Sequence, residues 1–171
     1  MKNIEVVEWD SRSSLADFLA GSREEAIILE TVETPRRFYS LSVRRSGTEW
    51  RLGISSAYLG IKPVAIQIRD DCVLVGYDQI VTAVDLATGR VKFEIRLVGA
   101  FYHFITLNKC QHFIIVSELG LTKLSVSGQL AWTIQTDIIE RVERDTDHLV
   151  IKIMGNPKPI MVSIDSGKTI E

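Results

Sequence analysis

The chain has 171 residues, 46% hydrophobic and 25% charged, with a formal net charge of −2 at pH 7. That length fits one domain with a real core, and the near-zero charge excludes a chain-wide pull toward nucleic acid or an anionic membrane. Cys72 and Cys110 form no C-x-x-C pair, so they read as reduced, buried thiols of a cytoplasmic protein. The start, MKNIEVVEWD, alternates apolar and acidic residues unlike a signal peptide. No apolar run approaches the ~20 residues that cross a bilayer.

In chain order, Ile4–Trp9 reads as a strand. Ser13–Ala20 is the one good helix, with Ser11 or Ser13 as N-cap and Gly21 as its stop; Leu15, Phe18 and Leu19 share a face. Glu25–Glu30 returns to strand, followed by Phe38–Val43, the turn Ser46-Gly47, and Trp50. The next strands are Pro63–Ile68, Cys72–Gly76, Ile80–Asp85 and Arg90–Leu97. Further on, His112–Val116, His148–Lys152 and Ile160–Ile164 are β-branched runs bounded by turn residues.

A repeat underlies these runs. Gly89, Gly128 and Gly167 recur every 39 residues, and Gly47 precedes Gly89 by 42. A period near 40 signals a repeat architecture. It divides a single domain, 1–171, into units of roughly 4–60, 61–99, 100–137 and 138–171. Each unit is expected to hold up to four short strands, with Ala26–Leu29 in the first unit matching Cys72–Gly76 in the second. The glycines permit positive φ at the last hairpin, and Thr88, Ser127, Ser166 and Ser46 are expected to bond the turn backbone. Phe93 and Trp132, each four residues past its glycine, are expected to pack against a neighbouring unit.

The string Ala83-x-Asp85-x-x-Thr88-Gly89-x-x-x-Phe93 resembles the repeat motif of PQQ-like β-propeller blades, with Phe93 where that motif ends in tryptophan. The third unit keeps the tryptophan as Trp132 but has Leu124 and Ser125 in place of Ala and Asp, in a turn one residue shorter. The fourth keeps Asp165-Ser166-Gly167. The resemblance implies an all-β fold, a small or incomplete propeller of about four blades, each four antiparallel strands, plus one short helix. The strand Ile4–Trp9 either pairs beside the shortened last strand and closes the ring or opens the first unit. Quinoprotein dehydrogenases hold their cofactor on the axis of a propeller about twice this size, and no residue here carries over as a ligand, so no cofactor is expected. Scaffold propellers of this kind use rims and grooves to bind proteins.

Several constellations have residue types that chemistry could use. His103, His112 and His148, with Cys110, Asp145 and Asp147 nearby, offer only a weak C-x-H metal pattern. Asp70, Asp71, Asp145 and Asp147 sit at turns, where acids ordinarily bond backbone. No nucleophile elbow, phosphate loop or dinucleotide fingerprint is present, so no enzyme is expected. Arg36, Arg37, Arg44, Arg45 and Arg51 cluster with Phe38, Tyr39 and Trp50; Glu30, Glu33 and Glu49 stand close enough to neutralise much of that charge. Arg36, Arg37, Arg44, Arg45, Trp50 and Arg51 form the candidate partner-binding set, for a protein rather than nucleic acid or membrane. The expected function is a non-catalytic protein-binding module. The alternatives are a small immunity protein that neutralises a toxin, and a ligand-binding or hydrolytic domain with an axial pocket.

Overall fold

The computed structural model describes residues 4–21, 27–30, 34–45, 48–57, 60–69, 71–107 and 111–170; the side chains of Arg45, Thr48 and Arg69 are outside the description. The chain divides into two compact units, 1–95 and 96–171.

The first unit opens with β1 (Ile4–Trp9), α1 (Arg12–Ala20), β2 (Ile27–Glu30), β3 (Arg37–Arg45) and β4 (Thr48–Ser56). These four strands form one sheet in the order β1-β3-β4-β2. Of the two roles open to Ile4–Trp9, the structure takes the second: β1 pairs antiparallel with β3. The first sheet nevertheless departs from the expected repeat. Residues 27–30 are an edge strand parallel to β4, not the counterpart of Cys72–Gly76, and Ser46-Gly47 falls between the two central strands, outside the described residues. The cause is the helix. Parallel strands need a long crossover, usually helical, and α1 carries the chain from the β1 edge to the β2 edge.

The helix starts at Arg12, one residue earlier than expected, with the Ser11 hydroxyl accepting the Ser14 N–H at 3.1 Å. Strand alternation sends Tyr39, Leu41 and Val43 of β3, with Leu52 and Ile54 of β4, to the side that packs on the second sheet. On the opposite side Ser40, Ser42 and Gly53 lie toward α1, where a Cβ on Gly53 would overlap Leu19. Trp9 donates its indole N–H to Ser40 Oγ at 2.9 Å and stacks on Phe18 at 4.9 Å.

The second sheet runs β5 (Val64–Arg69), β6 (Cys72–Tyr77), β7 (Ile80–Asp85) and β8 (Val91–Arg96), in consecutive order. Its two central strands are almost wholly buried. At their connection Asp78, itself buried and at φ 48°, reaches back to the first sheet. Its carboxylate accepts the Ser56 hydroxyl and the Ala57 N–H, the latter at 2.9 Å.

The second unit holds two more consecutive sheets. One is β9 (Phe101–Leu107), β10 (His112–Ser117), β11 (Gly120–Ser125) and β12 (Leu130–Gln135); the other is β13 (Ile139–Asp145), β14 (His148–Ile153), β15 (Ile160–Ser163) and β16 (Thr169–Ile170). Ile114, Val116 and Leu121 of the former interlock with Leu149, Ile151 and Val162 of the latter in one core.

The last hairpin of each consecutive sheet repeats one hydrogen-bond plan. Gly89, Gly128 and Gly167 stand at φ 66°, 84° and 69°, the left-handed region that glycine enters without a Cβ penalty. Each glycine N–H bonds a carbonyl, that of Asp85, Ser125 or Ser163. The same residue's N–H bonds Arg90, Gln129 or Lys168 across the turn. Leu86, Val126 and Ile164 then donate to the carbonyls of Asp71, Gln111 and Asp147 in the turn before the second strand of the sheet.

This geometry corrects part of the motif reading. Turn bonding comes chiefly from Asp85, Ser125 and Ser163. Asp85 accepts from the N–H groups of Ala87 and Thr88, Ser125 from that of Gln129, and Ser163 from that of Ser166. Among the described residues that precede the glycines, only Ser166 adds a backbone bond, to Lys168. Asp165 does not occupy the Asp85 place; Ser163 does.

Lys92 bonds Asp85 at 2.9 Å, and that bond, with the two N–H groups, holds the Asp85 carboxyl below its usual range. A lowered folded-state pKa stabilises the protein above the ordinary carboxylate range and is lost as pH falls through the folded value. Asp85→Ala is therefore expected to lower stability by about 1 kcal/mol at neutral pH, read as a shift in urea midpoint. The difference from wild type should shrink once the medium is acid enough to protonate Asp85.

Candidate functional site

The arginine set splits once its strands pair. Arg51 lies opposite Ser42, and Arg44 opposite Glu49, so Arg44 and Arg51 share the face that carries α1, while alternation puts Arg37 on the other. Arg51 is a structural residue. Its guanidinium sits 4.3 Å from the Phe18 ring centroid, donates to the Phe18 carbonyl at 3.0 Å and pairs with Glu49 at 3.0 Å. Arg44 remains 68% exposed and reaches the same carboxylate at 3.9 Å. Arg51 is the main cause of the lowered Glu49 pKa. Arg36 is exposed, and Arg37 pairs with Glu8 at 2.7 Å. The Arg45 side chain is outside the described residues.

The neutralising role expected of nearby acids is only partly filled. Glu30 is taken by Arg12. Glu49 serves Arg44 and Arg51, and Glu8 serves Arg37 and Lys62. Glu49 and Glu8 thus each face two cations, and Arg36 has no ion pair among the described residues. Glu33 lies outside them.

The histidines do not converge. His103 sits opposite Val116 and His112 opposite Leu107, toward opposite ends of the same strand pair. Burial lowers the His103 pKa. His148 heads β14 and lies 3.1 Å from Asp145. Among the described residues no group of three His, Cys, Asp or Glu side chains is placed to hold a metal; Asp70 and Cys110 are outside them. Cys72 is buried in β6. A cleft of about 210 Å³ on the fourth sheet is lined by Arg141, Glu143, Val150, Lys152, Pro157 and Pro159. Its charges are already committed, Arg141 to Glu143 and Lys152 to Glu140. No helix among the described residues is long and apolar enough to cross a membrane.

The tryptophans act between sheets. Trp132 of β12 donates its indole N–H to the Ile164 carbonyl at 3.0 Å, in the last turn of the following sheet. Its ring covers Gly167 so closely that a Cβ there would lie 2.8 Å from Cγ and Cδ2. Lys123, opposite Trp132 in register, donates to the same carbonyl at 2.9 Å. Trp50 in the first unit also reaches a left-handed turn glycine: its Cζ3 lies 3.8 Å from the place a Cβ on Gly89 would take, and the ring packs on the core. A side chain committed to that contact is chiefly packing surface.

No family model matches the chain, and no curated protein matches it in sequence. Solved structures match it in backbone. The β-propeller domain of Cps50 (Swd1) from Myceliophteria thermophila is 10% identical, with a TM-score of 0.52 over 78% of this chain and 52% of that one. BamB from Moraxella catarrhalis is 14% identical, with a TM-score of 0.53 over 77% and 48%. BBS1N, solved in complex with ARL6DN, is 11% identical, with a TM-score of 0.52 over 77% and 45%. The chain has a β-propeller fold. It spans about half the length of the structures it matches.

In propeller terms, the docking tryptophan expected at Trp132 is in place, and Trp50 contacts the Gly89 turn from a blade whose strand order has changed. Sequence reading passed over Asp78, whose only signal was an acid between two apolar runs. It also passed over an apolar edge of the second unit, because the residues that compose it stand far apart along the chain.

Proposed function

We propose that this propeller is a non-catalytic module that binds a protein, and that the first blade meets acidic surfaces of that partner at two places, Arg44 on the face that carries α1 and Arg36 with Arg37 at the opposite end of β3. The observation that carries the reading is the unequal charge count: Glu8 and Glu49 each face two cations, and Arg36 has none of the described acids. Excess positive charge on a folded surface favours association with an acidic one and speeds encounter. The solved complex of BBS1N with ARL6DN supports the reading as a precedent for this fold. Arg51 stays in the proposed set as the residue that holds α1 on the Arg44 face; Trp50, which packs on the core, and Arg45 stay in it only as chain neighbours of Glu49 and Arg44.

The test is cross-linked co-purification of a defined partner with the tagged chain from its own cells. Arg36→Glu with Arg44→Glu should abolish recovery and leave the melting temperature unchanged, because both side chains are exposed. Arg51→Glu is unsuitable, since it strips α1 of its anchor. Undiminished recovery with the double variant, or substrate turnover by the purified chain, overturns the reading.

A further inference from the structure

One edge of the second unit gathers the connections between strands: the segment before β9, the β10–β11 turn, the segment before β13 and the β14–β15 turn. Backbone bonds tie them side by side. Glu118 donates to Ala100 at 2.7 Å, Thr136 to Leu119 at 3.0 Å, Ile139 to Glu118 at 2.8 Å, and Met154 to Ile138 at 2.8 Å. Gly99 abuts the Glu118-Leu119 turn, with Leu119 Cγ 3.1 Å from where a Cβ would stand.

On this edge large apolar side chains face solvent. Val98 is 62% exposed, Met154 60% and Ile138 39%, and the partly buried Leu119 lies between their segments. Singly, an exposed apolar residue needs no explanation; several on loops bonded side by side do. Acids accompany it. Asp137 is exposed and Glu118 half-exposed; the nearby cations Lys152 and Arg141 are held by Glu140 and Glu143. Neither Glu118 nor Asp137 makes an ion pair among the described residues; one Glu118 oxygen accepts the Ala100 N–H at 3.4 Å, and the exposed Arg96 stands two residues before Val98.

From this pairing of a bare apolar strip with uncompensated carboxylates, we infer that the edge is a second docking surface, and that its occupant is a protein segment presenting apolar side chains flanked by lysine or arginine. The apolar side chains would cover Val98, Leu119, Ile138 and Met154, and the flanking cations would meet Glu118 and Asp137. This surface belongs to the second unit and the arginines to the first, and it takes a partner of the opposite charge.

The experiment pans the full chain against a displayed random dodecapeptide library and measures enriched peptides by fluorescence anisotropy. Enriched peptides should carry apolar residues flanked by Lys or Arg. Met154→Ser with Val98→Ser, and separately Asp137→Lys, should each weaken them about tenfold or more. Arg36→Glu with Arg44→Glu should leave that binding as it is, which separates this inference from the first-blade reading. All the substituted side chains are exposed, so an unchanged melting temperature shows the fold intact. Acidic peptides, peptides that bind every variant equally, or no enrichment at all would each overturn the inference.

Discussion

Gly167→Ala should destabilise this protein by about 3 kcal/mol, and Gly155→Ala by only about 1. Both glycines are left-handed, at φ 69° and 75°, where an L-residue pays roughly 1–2 kcal/mol. They differ in their surroundings. A Cβ on Gly155 would meet nothing within 4 Å, whereas one on Gly167 would lie 2.8 Å from two atoms of the Trp132 ring. The indole cannot simply retreat, because its N–H is bonded to the Ile164 carbonyl. Overpacking of this kind costs roughly 1–3 kcal/mol beyond the backbone term.

Trp132→Ala should cost about 3 kcal/mol, at the low end for buried aromatics because the ring is only partly buried. The double variant should lose markedly less than the two single losses combined, since alanine at 132 removes what the new methyl strikes. Urea unfolding of the four proteins, with unchanged m-values, decides the matter. If Gly167→Ala and Gly155→Ala lose equal stability, the tryptophan does not hold adjacent blades together as described.

Asp78→Ala should cost about 3 kcal/mol. Asp78 accepts the Ser56 hydroxyl and the Ala57 N–H, and a buried donor left without its acceptor forfeits roughly 1–3 kcal/mol. The positive φ, 48°, adds strain that alanine bears worse than aspartate or asparagine. Asp78→Asn keeps one acceptor oxygen and tolerates that backbone, so it should lose about half as much. Equal losses in the alanine and asparagine variants, measured by the same unfolding midpoints, would show that the carboxylate is not what ties the end of β4 to the second sheet.

Much of this architecture was legible along the chain because its causes are local. The 39-residue spacing of Gly89, Gly128 and Gly167 reflects a backbone need for positive φ that other residues meet poorly, and short β-branched runs between polar turns read as strands wherever they occur. The helix was equally plain, since a capping serine, one apolar face and a glycine lie within a short stretch. Where the turn motif degrades, reading by letter misleads: Asp165 matches the motif's aspartate in type, yet Ser163 occupies its place, because the hydrogen bonds count positions back from the glycine and not residue names.

The candidate surfaces were less visible. Five arginines look like one cluster in sequence, but pairing sends Arg37 and Arg44 to different faces and hands Arg51 to the helix. Val98, Ile138 and Met154 look unrelated until three loops are bonded along one edge.

By itself, then, the sequence determined the three consecutive blades: their strands, their last turns and the tryptophan that follows one of them, all set by φ preference and by period-two burial within a few residues. Only the tertiary structure decided that β2 lies parallel to β4, that Trp50 contacts the Gly89 turn, and which charges remain uncompensated. Those outcomes depend on which distant segment becomes a neighbour, and side-chain alternation specifies that a face is buried without specifying what buries it.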